Sequence, residues 1–444
     1  MARKKRGPET ARIERATHDG RGIAAVEGKK VFVAGALPGE EVRFQRRKRR
    51  RNYDEAELLE VLDASPSRIE PRCAAYEQCG GCALQHLDVS EQRQLKEQTL
   101  RDNMSRIGEV EPEEWLDPLY EPGDDGSWYY RRRARLAVKD VAAKGRVLVG
   151  FREKHSPYVT NMHRCEILAK PLDGLIDALS ELVGKLTIRA RLPQIEVAVA
   201  DNATALVFRV LDPPTDADLE YLKNFGNDHD LRILLQSKGP DSVEALEAEL
   251  PPLHYRLDEY DVRLEFEGTD FVQVNGRVNE RMVSTALSLL DAQDSDTVLD
   301  LYCGIGNFSL PLARVAGRVI GIEGEERQVL RARHNASLNG IENIEFVAAD
   351  LSEIEGNESW LRNGCDRLLL DPARSGADAV VKQVRKLGPE RIVYVSCHPG
   401  TLARDAGELV HRQGYSLAAA GIIDMFPHTG HVESIAVFNK NVKK

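Results

Sequence analysis

Cys397 closes the apolar run Ile392-Val393-Tyr394-Val395-Ser396 and is followed at once by His398-Pro399-Gly400-Thr401, so a β-strand delivers a thiol to a tight turn. A cysteine at the end of a buried strand is commonly inert packing, but this is also how an attacking sulfur is displayed. A second strand end, Val298-Leu299-Asp300-Leu301-Tyr302-Cys303-Gly304-Ile305-Gly306-Asn307, carries the glycines that let a backbone turn sharply around a nucleoside ligand. Glu323 ends the next strand, where an acid would accept hydrogen bonds from ribose hydroxyls, and Asp350 follows the third, placed to receive an adenine amino group. Phe426-Pro427-His428-Thr429-Gly430-His431-Val432-Glu433 adds a second ionisable cluster. Together these suggest a cysteine-using group transferase.

A nicotinamide fingerprint needs a third glycine where Ser309 stands, so the turn does not read as a dehydrogenase site. Cys73, Cys79 and Cys82 form C-x5-C-G-G-C, and Cys165 supplies a possible fourth thiolate. Four soft ligands suit zinc or an iron–sulfur cluster. The long first interval departs from common zinc spacing, and the glycine pair lets backbone wrap a bulky inorganic core. A radical enzyme's C-x3-C-x2-C is absent, which points to a structural or RNA-positioning role.

Length and pattern predict the scaffold that carries these groups. A chain of 444 residues implies two or three domains. Short β-rich runs with Gly and Pro punctuation up to Pro66 predict a small barrel over residues 1–66. Residues 67–264 mix helices and strands and read as an α+β central domain. From 265 to 444 strands and helices alternate, with strands expected at 297–302, 318–322, 344–348, 367–370, 391–395 and 433–438, as in a doubly wound parallel sheet with ligands at its carboxyl ends.

Composition excludes some classes. No run of 18 apolar residues occurs and the N-terminus is basic and polar, so a cytoplasmic protein with no membrane partner is expected. Seven cysteines then serve metal binding, catalysis or burial instead of disulfides. The net charge of −10 is unevenly spread: Met1 to Arg51 holds 16 Lys+Arg against 6 Asp+Glu. Within it, Arg46-Arg47-Lys48-Arg49-Arg50-Arg51 is dense enough to bind phosphates through counterion release. Trp128-Tyr129-Tyr130-Arg131-Arg132-Arg133-Ala134-Arg135 mixes aromatic faces with cations, as unstacked RNA bases require.

Several motifs resemble one family. Ser396 to Asp405 resembles the nucleophile motif S-C-x-P-x-T-x-A-R-D of the RNA uracil-C5 methyltransferases, with His398 at a position often Asn. Phe426 to Glu433 is similar to the family's F-P-x-T-x-H-x-E, Phe271-Val272-Gln273-Val274-Asn275 to its F-x-Q-x-N, and Asp371-Pro372-Ala373-Arg374 to its D-P-P-R with Ala373 replacing the second proline. The turn D-x-x-C-G-x-G-N-F looks like the first motif of S-adenosylmethionine-dependent methyltransferases. The first 65 residues or so resemble a TRAM domain, an OB-like RNA-binding barrel. The cysteine arrangement is similar to that of the 23S rRNA uracil-C5 methyltransferases bearing a [4Fe–4S] cluster.

The resemblance implies an α/β Rossmann-like methyltransferase domain behind a TRAM barrel and an iron–sulfur central domain. It implies that Cys397 adds to C6 of a flipped uridine and that Glu433 removes the C5 proton. Gln273, Tyr302, Asn307, Glu323, Asp350 and Asp371 would hold S-adenosylmethionine, and Cys73, Cys79, Cys82 and Cys165 the cluster. Arg374 and Arg404 are candidates to favour the thiolate. The expected partner is 23S rRNA, bound by a monomer, with no DNA. A tRNA enzyme of the family would ordinarily lack both cluster and barrel, and another rRNA enzyme would lack the barrel. A non-catalytic RNA-binding protein with a metal centre is the alternative from another class.

Overall fold

The computed structural model describes residues 7–247, 250–354, 356 and 358–441. The first six residues of the basic N-terminal stretch lie outside the described residues.

The N-terminal strands form one six-stranded sheet, ordered Glu9–Arg12, Glu41–Arg49, Tyr53–Asp63, Lys29–Ala34, Arg21–Val26 and Arg15–Ala16. Alternating residues such as Val31, Val33, Val42 and Phe44 point to one face and make its core, as a half-buried strand requires. Ile13 ties the two edges: its N–H donates to Glu40 O at 2.8 Å while the Glu14 N–H donates to Ile23 O at 2.8 Å. The six-cation run is not the free polycation its composition suggests. Arg46 is 6% exposed between Glu9 and Asp54, and Arg47, Lys48 and Arg50 face Glu57 and Glu55 on the paired strand. Exposed pairs of that kind are weak enough to exchange for phosphates, whereas Arg46 is structural.

The central sheet is ordered Val243–Ala245, Leu231–Gln236, Thr204–Arg209, Gln194–Val199, Arg133–Val141 and Arg146–Gly150, with the helices Ile176–Lys185 and Asp216–His229 packed beside it. Thr215 and Asp218 start the latter helix as a reciprocal capping box.

The large sheet runs Ile344–Ala348, Arg318–Glu323, Thr297–Leu301, Arg367–Leu370, Arg391–Ser396, Glu433–Lys440, Tyr415–Ile423 and Glu114–Trp115. The first five strands are parallel, and Glu433–Lys440 is inserted antiparallel to both its neighbours. The strand order reverses beside Thr297–Leu301, which opens a crevice at the carboxyl ends. Two strands escape the sequence reading. Tyr415–Ile423 is rich in Ala and Gly, poor strand formers, and Glu114–Trp115 is only two residues long. The helix Val89–Asn103 reaches across from the central segment, and its Lys96 Nζ bonds Asp424 Oδ1 at 2.6 Å with both side chains 1% exposed.

The barrel docks on the segment between the last two long strands. His18 Nδ1 lies 2.6 Å from Gly430 O, and a Cβ at Gly430 would meet Asp19 Cα at 2.9 Å and His18 O at 3.1 Å. Backbone cannot yield as a side-chain tip can. Gly430→Ala should therefore loosen the barrel at a cost of roughly 1–3 kcal/mol. The expected readout is faster hydrogen exchange over residues 15–23 with the large sheet still protected.

Candidate active site

The antiparallel insertion sets the centre of the site. Ser396 pairs with Ser434 across the ladder, so the register, continued by one residue, sets Cys397 opposite Glu433. The parallel neighbour Arg367–Leu370 ends at Asp371, beside the same point. A thiol and a carboxyl at the carboxyl ends of two parallel strands thus meet a carboxyl at the amino end of the antiparallel one, and Arg374 faces them. Burial first, then the charges of Glu433 and Asp371, push the Cys397 thiol up to about 11, while Arg374 pulls it down. Burial and Asp371 push the Glu433 carboxyl up to about 8, opposed by Arg374 and Lys96. Asp371 itself is raised to about 7 by burial. The apoprotein therefore keeps protons on the thiol and on Glu433 at neutral pH.

Of the two arginines considered, only Arg374 serves the thiol. Its Nη2 lies 3.0 Å from His431 Nδ1, and burial and that cation lower the His431 pKa to about 4, leaving a neutral acceptor. Arg404 instead bonds Asp405 and the Ser375 carbonyl. His398 leaves the nucleophile turn intact, since its Nδ1 accepts the Thr401 N–H at 3.2 Å and caps the helix Pro399–Glu408 as an asparagine would. That helix N-terminus abuts Cys397 and favours its thiolate. Ala373 is exposed and its carbonyl accepts the Gly376 N–H at 2.9 Å, so losing a proline there leaves the turn closed.

The glycine turn has left-handed backbone at Tyr302 (φ 66°), Gly304 (φ 57°) and Gly306 (φ 98°). Glu323 braces it, accepting the Gly304 N–H at 3.0 Å through one oxygen and the Glu325 N–H at 3.0 Å through the other. Asn307 Oδ1 accepts from Tyr255 and Asn279, each at 2.9 Å. Gln273 lines a narrow cleft, with room of only about 20 Å³, together with Tyr255, Asn279 and Arg132. Asp350 is exposed and held below its ordinary pKa by the Ser352 hydroxyl and N–H. Asp300, missing from the expected cofactor residues, is buried beneath the turn and accepts the Ser309 hydroxyl; burial pushes it up to about 7.

Comparison with known proteins gives this arrangement its family. Residues 124–441, more than half of the chain, match the family model described as tRNA (Uracil-5-)-methyltransferase. The chain belongs to the RNA uracil-C5 methyltransferases. Residues 7–59 match the TRAM domain model. Curated family members named 23S rRNA (uracil(1939)-C(5))-methyltransferase RlmD are similar along nearly their whole length. The one from Nitrosococcus oceani is 51% identical, covering 98% of this chain and 97% of its own, and the one from Alkalilimnicola ehrlichii is 50% identical, covering 99% and 98%. A solved family structure, Pyrococcus abyssi tRNA (uracil-54, C5)-methyltransferase in complex with S-adenosyl-L-homocysteine, superimposes with a TM-score of 0.74 at 26% identity, covering 97% of this chain and 99% of that one.

Among the described residues of this uracil-C5 methyltransferase no group of three or more His, Cys, Asp or Glu side chains is gathered tightly enough to hold a single metal ion, and Cys73, Cys79, Cys82 and Cys165 stand as free thiols. The thiols are neighbours all the same: Cys82 is pushed up to about 12 by burial and then by Cys165, Cys79 and Cys73, and Cys165 likewise to about 12. The aromatic–cationic run, expected to present faces to RNA, is largely occupied inside the protein. Trp128 stacks on His428 at 3.9 Å, Tyr130 donates to Pro427 O at 3.0 Å, Arg132 pairs with Asp201 at 2.7 Å, and Arg133 bonds the Gly268 and Asp270 carbonyls.

The Glu433 carboxyl makes stability pH-dependent with a defined sign. In the unfolded chain it ionises near 4.5, whereas the folded protein holds the proton up to about 8. The folded state thus binds the extra proton between those values, and stability falls as pH rises through that window. Glu433→Gln removes that decline. In denaturant titrations at pH 6 and pH 8.5 the variant should gain about 2 kcal/mol on the parent between the two.

Proposed function

We propose that this protein is an S-adenosylmethionine-dependent methyltransferase that forms 5-methyluridine in 23S rRNA through a covalent bond between Cys397 and C6 of the uracil. The observation that carries the reading is the ladder register that sets a thiol and a carboxyl side by side at the mouth of the strand-end crevice. The curated relatives, about half identical over nearly their full length, support 23S rRNA as the substrate, and the TRAM match supports RNA binding.

C5 of uracil is a weak carbon nucleophile. The Cys397 thiol gives its proton to solvent and the sulfur adds to C6, so that the ring electrons move onto C5 and O4 as an enolate. Arg374 and the adjoining helix N-terminus favour the thiolate as it forms. C5 then takes the sulfonium methyl, leaving S-adenosylhomocysteine. Glu433, once it has given its own proton to solvent, removes the C5 proton as a carboxylate, and the returning electron pair expels the sulfur and restores the 5,6 double bond. A carboxylate whose conjugate acid ionises at about 8 is a stronger base than an exposed one. Gln273, Tyr302, Asn307, Glu323, Asp350 and Asp371 are read as the cofactor's holders, Glu323 for ribose hydroxyls. The uridine must leave its stack to reach Cys397.

The four thiols also fit an iron–sulfur cluster. They are free cysteines, two of them buried, and the Gly81 N–H points at Cys79 Sγ from 3.4 Å, the kind of donor that supports a cluster thiolate. Ligands of a four-iron cube stand farther apart than those of one ion, which suits thiols that neighbour one another without closing. A cluster bound there would shape the Cys79–Cys82 turn, and Cys82→Ser should lose iron measured by elemental analysis.

RNA carrying 5-fluorouridine tests the covalent step, because fluorine cannot leave as a proton. A denaturation-resistant protein–RNA adduct should accumulate with the parent and be absent with Cys397→Ala. Methylation of uridine at the parental rate by that variant would overturn the reading.

A further inference from the structure

The segment Asp424–Glu433 that leads to the proposed base is gripped by one helix at two places. Lys96 takes Asp424 and also donates to Phe426 O at 2.9 Å. One turn earlier on the same face, Gln92 is 0% exposed and uses its whole amide. Its Oε1 accepts the His428 N–H at 2.8 Å, and its Nε2 donates to Leu84 O at 2.9 Å and Leu87 O at 2.8 Å and lies 3.2 Å from His428 Nδ1. His428 O in turn accepts the N–H groups of Ala83 and Leu84 at 2.8 and 2.9 Å. A single buried amide therefore joins the end of the C-G-G-C segment to the loop before the base.

His428 has reason to need such a grip. It is a non-glycine residue in the left-handed region at φ 64°, a conformation that persists only where the surroundings impose it. The stretch from there to the base is short and stiff: Thr429 Oγ1 donates to Phe426 O at 3.0 Å and accepts the His431 N–H at 3.2 Å, and His431 meets Arg374. Any shift of His428 passes within five residues to Glu433.

We propose that Gln92 is a positioning residue for proton removal, holding His428 so that Glu433 faces C5 of the methylated adduct. The proposal rests on the reading of Glu433 as the base. Without the amide, the His428 N–H and Leu87 O lose the Gln92 contact in a buried place while Leu84 O keeps the Leu87 N–H, and the loop relaxes from its left-handed turn. Attack by Cys397, which sits on a different strand and turn, does not depend on that loop's geometry to the same degree.

The test uses full-length protein, S-adenosylmethionine and unmodified RNA in single-turnover reactions, following the methylated covalent adduct on denaturing gels and the free methylated product. Gln92→Leu removes all four contacts. Gln92→Glu keeps the shape and the acceptor for His428 but replaces the donors with a second acceptor. In both, methyl transfer into the adduct should stay within about threefold of the parent while release slows on the order of tenfold, against the roughly 10²–10⁴-fold that a positioned base supplies. Equal slowing of both steps, no slowing of either, or failure of both variants to fold overturns the positioning role. Glu433→Gln is the control: if it does not accumulate methylated adduct, the base assignment fails; if it does and the Gln92 variants do not, only the positioning proposal fails.

Discussion

The pairing of Ser396 with Ser434 is the constraint on which the site depends. A strand slipped by one residue would turn every side chain of Glu433–Lys440 to the opposite face and carry the carboxyl away from the thiol. The register is held because that strand is buried on both sides and between two partners: Val437, Phe438 and Ala436 are fully buried, and Tyr415–Ile423 pairs with it along its outer edge. The chemistry is thus specified by packing in the middle of a sheet, among side chains that do not themselves react.

That placement has an electrostatic cost which the protein puts to use. Cys397, Asp371 and Glu433 sit together in a poorly hydrated place with Arg374 as the facing cation, and all three carry raised pKa values. A carboxyl that resists ionising is a poor stabiliser of the fold and a good acceptor of a carbon-bound proton. The buried Lys96–Asp424 pair stands close by, its charges matched and its ammonium also satisfied by the Phe426 carbonyl.

Much of this was legible in the chain. The parallel strands announced themselves as apolar runs ending in Gly, Asp or Cys, and Ile344–Ala348 and Arg367–Leu370 fell where the pattern put them. Cys397, Glu433 and the glycine turn were visible because their chemistry needs those residue types beside turns. Tyr415–Ile423 was not, since its alanines carry no strand preference and only the neighbouring ladder fixes them. Nothing in the sequence sets Gln92 and Lys96 apart from the other polar residues of their helix; their burial is created by the loop that packs on them. For the aromatic–cationic run, composition alone could not distinguish a face offered to a ligand from one, like that of Trp128, already covered by His428.

One contact bears on how the protein is made. His18 and Gly430 are 412 residues apart in sequence yet touch, and Ala83, Gln92 and Tyr130 meet the same late segment. Contacts of such separation form only after the entropic barrier to closing very long loops has been overcome. The barrel and the central segment clasp a stretch that follows both in the sequence, so the pocket around Cys397 and Glu433 closes only once that late stretch has docked between them.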